Sequence, residues 1–291
     1  MNLEENTTLV SIIVNCYNGE KYLKEAIDSI YAQSYDNLEI IFWDNVSTDS
    51  SATIAKNYDK KLKYFLAKKH TNLGEARNLS LREAKGDYIA FLDCDDIYLP
   101  DKIQIQLAAM KEVNAVCGYG GWIKIDSNGK ELAKYIIPHN YGEVFESLLL
   151  RYVVNFQTLM IKSSFLKQEN INFDTNLKFS ADHNLVLRIA YNRPILSMSD
   201  LLVKYRVHTH SMSNNRKIDK INDFDYTIGF LEKLGVQKKH KNFKYISSKA
   251  KLHFLLLDAF NDKKFKYFIQ VACKLLFLSI GGVFKQIKYK Q

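Results

Sequence analysis

Ala90-Phe91-Leu92-Asp93-Cys94-Asp95-Asp96 is an apolar strand that ends abruptly in three carboxylates with one neutral residue among them. Carboxylates crowded at a strand end repel one another and are tolerated best beside a positive group. A hard divalent cation, Mg²⁺ or Mn²⁺, suits them, because such ions take one or two carboxylates and leave their other positions to water and substrate phosphates. The run points to a metal and diphosphate site; the alternative is an acidic turn in which Asp96 caps the next helix.

The residues before it alternate strand and helix, as in a parallel sheet with crossover helices. Leu9–Val14 is a buried strand, followed by the polar turn Asn15-Cys16-Tyr17-Asn18-Gly19. Tyr22–Ser34 has helical spacing, with Leu23, Ala26, Ile27 and Ile30 on one face. Leu38–Trp43 is a second strand ending at Asp44-Asn45-Val46-Ser47-Thr48-Asp49, a loop and N-cap before a helix over Ala52–Tyr58. Leu62–Leu66 is a third strand, Asn72-Leu73-Gly74 leads into a helix reaching Ala84, and Tyr88–Leu92 is the fourth strand. In open parallel sheets ligands collect outside the carboxyl ends of the strands, and here those ends carry the polar clusters. One nucleotide-sized site would recruit all of them.

After Pro100 the pattern loosens into a helix over Asp101–Val113, strands near Ala115–Cys117 and Trp122–Asp126, and helices near Tyr141–Tyr152 and Ala181–Ala190. Beyond Ser213 the chain is helical and Lys-rich. The expected division is a nucleotide-binding half over 1–100, a half over 101–213 that would supply the second substrate's contacts, and a basic helical extension over 214–291.

With 47 % hydrophobic residues and 3 prolines in 291, the chain is expected to fold throughout. Cys16, Cys94, Cys117 and Cys273 form no Cys-x-x-Cys pair, which argues against zinc and a disulfide framework and suits a reducing cytosol. Met1–Asn6 is acidic and polar and does not read as a secretory signal. The net charge of +9 is uneven: Val236–Gln291 holds 13 Lys and 2 Asp, or +11, leaving −2 for the rest. The basic character, and any anionic partner it implies, belongs to the tail.

Four segments in order resemble glycosyltransferase family 2, the inverting family with the GT-A nucleotide-sugar fold: a Rossmann-like, mixed but mostly parallel α/β sheet flanked by helices. They are Val10–Asn18, similar to the family's opening strand and Tyr-Asn turn; Asp44–Asp49, similar to its Asp-Asp-Gly-Ser-x-Asp loop; Asp93-Cys94-Asp95, in the place of Asp-x-Asp; and Tyr205-Arg206-Val207-His208 with Ser211 and Ser213, similar to Tyr-Arg-x-His-x-x-Ser-x-Ser. Asn45 and Val46 depart from the family's Asp and Gly, so the backbone there lacks a glycine's freedom. Asn72-Leu73-Gly74-Glu75-Ala76-Arg77-Asn78 resembles a shortened Asn-x-Gly…Ala-Arg-Asn loop, and Ala181-Asp182 stands where the family has Glu-Asp.

The resemblance implies transfer of a sugar from a UDP-sugar to a glycan hydroxyl. Asp44 is the candidate for the uracil imide N–H and Tyr17 for stacking on the ring, with Asn18 and Asn72 beside them. Asp93 is implied for the ribose, Asp95 for the metal, and His208 for the metal or the diphosphate. Arg77 and Arg206 are candidates for phosphate contacts, against the alternative of solvated surface charge. Asp182 is the candidate general base, at the first turn of a helix where it could equally act as N-cap.

Lys263–Gln291 is amphipathic, with the apolar stretch Leu275–Phe284 too short to span a bilayer. A helix lying on an anionic membrane surface is expected, against packing on the protein itself. Together with the tail, the resemblance implies a place at the cytoplasmic face of the inner membrane and a polyprenyl- or lipid-linked acceptor in bacterial surface glycan synthesis. A non-catalytic sugar-nucleotide binder or scaffold is the alternative. Nucleic acid is not expected as a partner, because it would leave the acidic strand ends unexplained, and the lack of Gly-x-Gly-x-x-Gly after the first strand disfavours a dehydrogenase.

Overall fold

The computed structural model describes residues 8–209, 217–261 and Val271; the amphipathic tail helix expected over 263–291 falls, Val271 apart, outside the described residues. Four parallel strands form the first half: β1 (Val10–Cys16), β2 (Leu38–Asp44), β3 (Leu62–Leu66) and β4 (Tyr88–Phe91). The crossovers are α1 (Glu20–Tyr31), α2 (Ser51–Lys56) and α3 (Leu73–Glu83). β1 and β2 are buried almost throughout because helices cover both faces, so they read as unbroken apolar runs rather than alternating ones. Leu23, Ala26, Ile27 and Ile30 of α1 pack into this core, as their spacing predicts.

After the two-residue β5 (Ile97–Tyr98) come α4 (Lys102–Glu112), β6 (Cys117–Ile125), β7 (Glu131–Tyr135), β8 (Asn140–Gly142), α5 (Phe145–Leu150), β9 (Met160–Lys162), α6 (Ser163–Gln168), α7 (Ala181–Asn192) and β10 (Ile195–Arg206). The sheet runs β3-β2-β1-β4-β9-β6-β10-β5, with β7 on β6 and β8 on β10. Antiparallel β9 joins the parallel half to the parallel pair β6–β10. Two strands expected near 115–117 and 122–126 are one, β6, since Gly118, Gly120 and Gly121 are built into it. Gly120 and Gly121 abut Leu202 and the Asp200 and Tyr135 carbonyls so closely that a Cβ would collide. β10 is the largest element that periodicity misses. Its stretch from Ser197 to Val203 carries two register shifts against β6, which break the alternation of an ordinary strand.

The chain divides into two compact units, Met1–Glu143 with Val154–Asn214, and Val144–Val153 with Asn215–Gln291. The second contains α5, α8 (Lys217–Lys233) and α9 (Phe243–Asn261). Its interior includes Phe145, Leu148, Leu231 and Phe243, with Phe145 against the His240 ring at 4.5 Å between centroids.

One buried carboxylate ties the parallel half together at the end opposite the polar clusters. Glu39 of β2 accepts from the Ser11 hydroxyl of β1, the Lys63 ammonium of β3 and the Lys85 N–H just before β4. The Ser11 oxygen also accepts from Gly86 N–H at 2.7 Å, an approach so close that a Cβ on Gly86 would lie 2.5 Å from the Ser11 nitrogen. Burial alone would raise the Glu39 carboxyl, but the bonds from Lys63, Ser11 and Lys85 outweigh it and hold it below its ordinary value. Its contribution is therefore present above the unfolded pKa of about 4.3 and lost as pH falls through the lower folded value. Glu39→Ala is expected to cost about 2–3 kcal/mol in urea unfolding at pH 7, with the gap to wild type narrowing at pH 3. An equal gap at both pH values would contradict this assignment.

Candidate active site

The carboxylates after β4 are held apart by different partners. Gln157, in a 3-10 turn over Phe156–Thr158, accepts from the Asp93 N–H through Oε1 at 2.8 Å and donates through Nε2 to Asp93 Oδ2 at 2.5 Å. Arg77 of α3 donates to Asp93 Oδ1 at 3.2 Å. Asp95 Oδ2 faces His208 Nε2 at 2.9 Å. Asp96 is 1 % exposed; its Oδ1 accepts from the Arg206 N–H at 2.7 Å, and its Oδ2 has no hydrogen-bond partner among the described residues. The expectation that Asp96 caps the next helix is thus corrected: α4 starts six residues on, after Asp101, and Asp96 points into the core instead. Burial, then the charge of Asp93, pushes the Asp95 carboxyl up; burial and the charges of Asp95 and Asp93 push Asp96 up further.

Arg206 organises this end. Its guanidinium is 2 % exposed, donates to Glu25 Oε2 and to the Asp95 carbonyl at 2.9 Å, and lies 4.4 Å from the centre of the Tyr22 ring. Solvated surface charge is excluded for Arg206, and for Arg77 at 5 % exposed. With protein groups on its guanidinium, Arg206 shapes the backbone between Asp95 and Asp96.

Among the described residues no three or more His, Cys, Asp and Glu side chains are grouped to hold a metal ion. Asp95 and His208 nevertheless fit a hard divalent cation. A carboxylate oxygen and an imidazole nitrogen converge there, the surrounding carboxylates leave an excess of negative charge, and water with a diphosphate would complete the shell.

The carboxyl end of β2 forms a second cluster. Asp44, 1 % exposed, accepts from the Ser47 N–H at 2.7 Å and the Tyr64 hydroxyl at 2.6 Å. Tyr17 is 52 % exposed and packs on His70 at 4.3 Å, while His70 Nδ1 lies 2.9 Å from the Asn45 carbonyl. Asn18, at φ 53°, takes the Thr48 N–H on its side-chain oxygen at 2.8 Å, joining the first and second loops. Asn45 both donates to the Thr71 carbonyl and accepts from the Thr71 N–H, a pairing that an ionised Asp cannot make. Val46 sits at φ 67°, the left-handed region a glycine takes without strain; packing against Trp43, Ala67 and Ala76 offsets part of the cost to a β-branched residue.

Asp182 lies in the first turn of α7, whose N-cap position is Ser180. Burial pushes its carboxyl above the ordinary value, with Arg77 pulling it down and Asp93 adding to the rise. Arg77 therefore stands in the field of both Asp93 and Asp182, its Cζ 3.9 Å from the centre of the Phe156 ring. Asn72 caps α3 through the Glu75 N–H at 2.8 Å and reaches the Thr175 carbonyl at 2.9 Å, so its side chain joins the α3 start to the segment before α7.

Gln157 and His70 are the residues that pattern reading did not single out for these parts. Neither sits in a motif; Gln157 meets Asp93 only because β9 pairs beside β4. Asn155 caps the 3-10 turn, His183 is buried in α7, and Trp122 stacks on Tyr135 at 4.8 Å.

Asp96, raised by burial, destabilises the fold once pH exceeds the unfolded value of about 3.9, and does so increasingly up to its folded pKa. Asp96→Asn is expected to stabilise the metal-free protein by about 1 kcal/mol at pH 8 and to change little at pH 4 in urea unfolding; a loss at pH 8 would show that the charge is needed.

Residues 11–185 match Glycosyl transferase family 2. An uncharacterized glycosyltransferase of Rickettsia typhi is 33 % identical over 250 residues, covering 81 % of this chain and 76 % of the relative. Among solved structures, Staphylococcus aureus TarS (residues 1–349) in complex with UDP-GlcNAc superposes with TM-score 0.71 and 21 % identity over 92 % of this chain and 81 % of that one. The mannosyltransferase PcManGT of Pyrobaculum calidifontis, in complex with GDP-Man and Mn²⁺, gives 0.58 and 16 % over 92 % and 86 %. The fold is GT-A, and the chain belongs to glycosyltransferase family 2.

Proposed function

We propose that the chain catalyses metal-dependent transfer of a hexose or N-acetylhexosamine from a UDP-sugar to a glycan hydroxyl, with inversion at the anomeric carbon. The observation that carries this is Arg77, which donates to Asp93 at the acidic strand end and is near enough to act on the charge of Asp182, a carboxylate raised by burial. A base of raised pKa is the better proton acceptor near neutrality. Asp182 takes the proton of the acceptor hydroxyl, while Arg77 orients Asp93 toward the ribose and counters charge on the donor side. Asp44 receives the imide N–H of uracil on a carboxylate already aimed by Ser47 and Tyr64, and Tyr17 stacks on the ring. Asn18 and Asn72 hold the loops around the nucleotide, and Arg206 positions Asp95. A Mn²⁺ or Mg²⁺ ion held by Asp95 and His208 would balance charge on the departing diphosphate.

The UDP-GlcNAc of TarS and the GDP-Man and Mn²⁺ of PcManGT support a nucleotide-sugar donor and a metal. The acceptor proposed is lipid-linked, in bacterial surface glycan synthesis, at the cytoplasmic face of the inner membrane. The Lys-rich tail would rest on anionic lipid there, and no helix among the described residues is long and apolar enough to cross a membrane.

Calorimetric titration with UDP, GDP and CDP, with and without Mn²⁺, is expected to give Mn²⁺-dependent binding of UDP, weakened at least about tenfold by Asp95→Ala. Binding of GDP alone would overturn the donor, and unchanged affinity in the variant would overturn the metal site. Asp182→Asn is expected to lower transfer at least about a hundredfold with UDP affinity kept. In the wild type the acid limb of kcat/KM should lie above the ordinary Asp value of about 4. Near wild-type transfer by the variant would remove Asp182 from its role.

A further inference from the structure

Two cysteines meet at the acidic strand end. Cys16 is the last residue of β1 and Cys94 lies between Asp93 and Asp95. β1 and β4 pair in parallel with Ile13 opposite Phe91, and the Leu92 N–H continues the ladder to the Ile13 carbonyl at 3.0 Å. Three residues further on, β1 ends at Cys16 while the chain after β4 has left the ladder for the turn that carries Cys94. The side chains approach one another: the Cys16 thiol lies against that of Cys94, near the Ser51 hydroxyl and the Gly19 N–H. A Cβ on Gly19 would lie 2.7 Å from Cys94 Sγ and 2.9 Å from Cys16 Sγ, so both sulfurs converge on the open face of this glycine. Cys16 is buried and Cys94 half-buried; Cys117, the third described cysteine, is buried on β6.

We propose that Cys16 and Cys94 are a redox modification site, a dithiol that a hydroperoxide converts reversibly to a disulfide, altering the metal and nucleotide end of the active site. One thiol of the pair takes oxygen from the hydroperoxide, giving a sulfenic acid and an alcohol, or water from hydrogen peroxide. The partner sulfur then attacks the sulfenic sulfur, the S–O bond breaks, and the hydroxyl leaves with the partner thiol's proton as water. Two electrons pass from the sulfur pair to the peroxide O–O bond, and a dithiol reductant returns them by exchange. Closing the bond draws the sulfurs from non-bonded contact to about 2.05 Å. Cys94 cannot follow without shifting the backbone between Asp93, which Gln157 and Arg77 grip, and Asp95, which faces His208.

The role in donor binding rests on the proposed function; the bond itself does not. The test treats the full chain with hydrogen peroxide, blocks residual thiols with iodoacetamide and maps peptides without reduction. A linked Cys16–Cys94 peptide that dithiothreitol removes is expected, and is expected to be absent in Cys16→Ser and in Cys94→Ser. Mn²⁺-dependent UDP affinity should fall at least about tenfold on oxidation, recover with dithiothreitol, and withstand peroxide in the double variant Cys16→Ser, Cys94→Ser. No linked peptide, or cross-links of Cys94 to Cys117 or Cys273 instead, would overturn the site. A linked peptide with unchanged UDP affinity would overturn the effect on the active site. Absence of UDP binding in the reduced protein counts against the donor assignment, while the peptide map still decides the disulfide.

Discussion

Three carboxylates within four residues cannot share one strand end unless something keeps their charges apart, and here the buried guanidinium of Arg206 is the centre of that arrangement. It arrives from the last residue of β10, on the far side of the sheet order from β2 and β3, and binds the Asp95 carbonyl and Glu25 of α1. Its own backbone N–H meets Asp96. The turn is thereby set so that Asp96 goes inward while Asp95 faces His208, two residues beyond Arg206. A cation of fixed charge and planar geometry suits this task better than lysine, whose ammonium is a single hydrated point and deprotonates readily when buried.

Around that centre the site is divided between two kinds of support. At the nucleotide end, backbone and amide bonds do the work: Asn18 and Asn45 lace the loops after β1, β2 and β3 together, and Asp44 is aimed by Ser47 and Tyr64. At the transfer end, charge and burial do it: Arg77 lies on Phe156, pairs with Asp93 and moderates Asp182. Rigid loops suit recognition of a planar base, whereas a poised carboxylate needs a partly desolvated place near a cation.

Sequence pattern was a good guide where local rules govern. The four parallel strands and their crossover helices follow from apolar runs and 3.6-residue spacing, and Leu62–Leu66 matches β3 at both ends. It failed where a partner distant in the chain decides. β10 has an interrupted period because its bulges answer to β6, and β9 is three residues whose role comes wholly from lying between β4 and β6. Gln157 follows the same logic: an amide in a short turn is ordinary until that turn is set against Asp93.

By itself the sequence determined the α/β class, the family and the identity of the charged and polar groups at the strand ends, because hydrophobic period and short motifs are local properties of the chain. Only the tertiary structure decided what those groups do to one another. That Asp96 is buried while Asp95 meets His208, that Arg206 braces the turn from inside, and that Cys16 lies against Cys94 all depend on strands brought together across many residues. Distance and burial set charge, hydrogen bonding and reactivity, and neither is written in any single stretch of the chain.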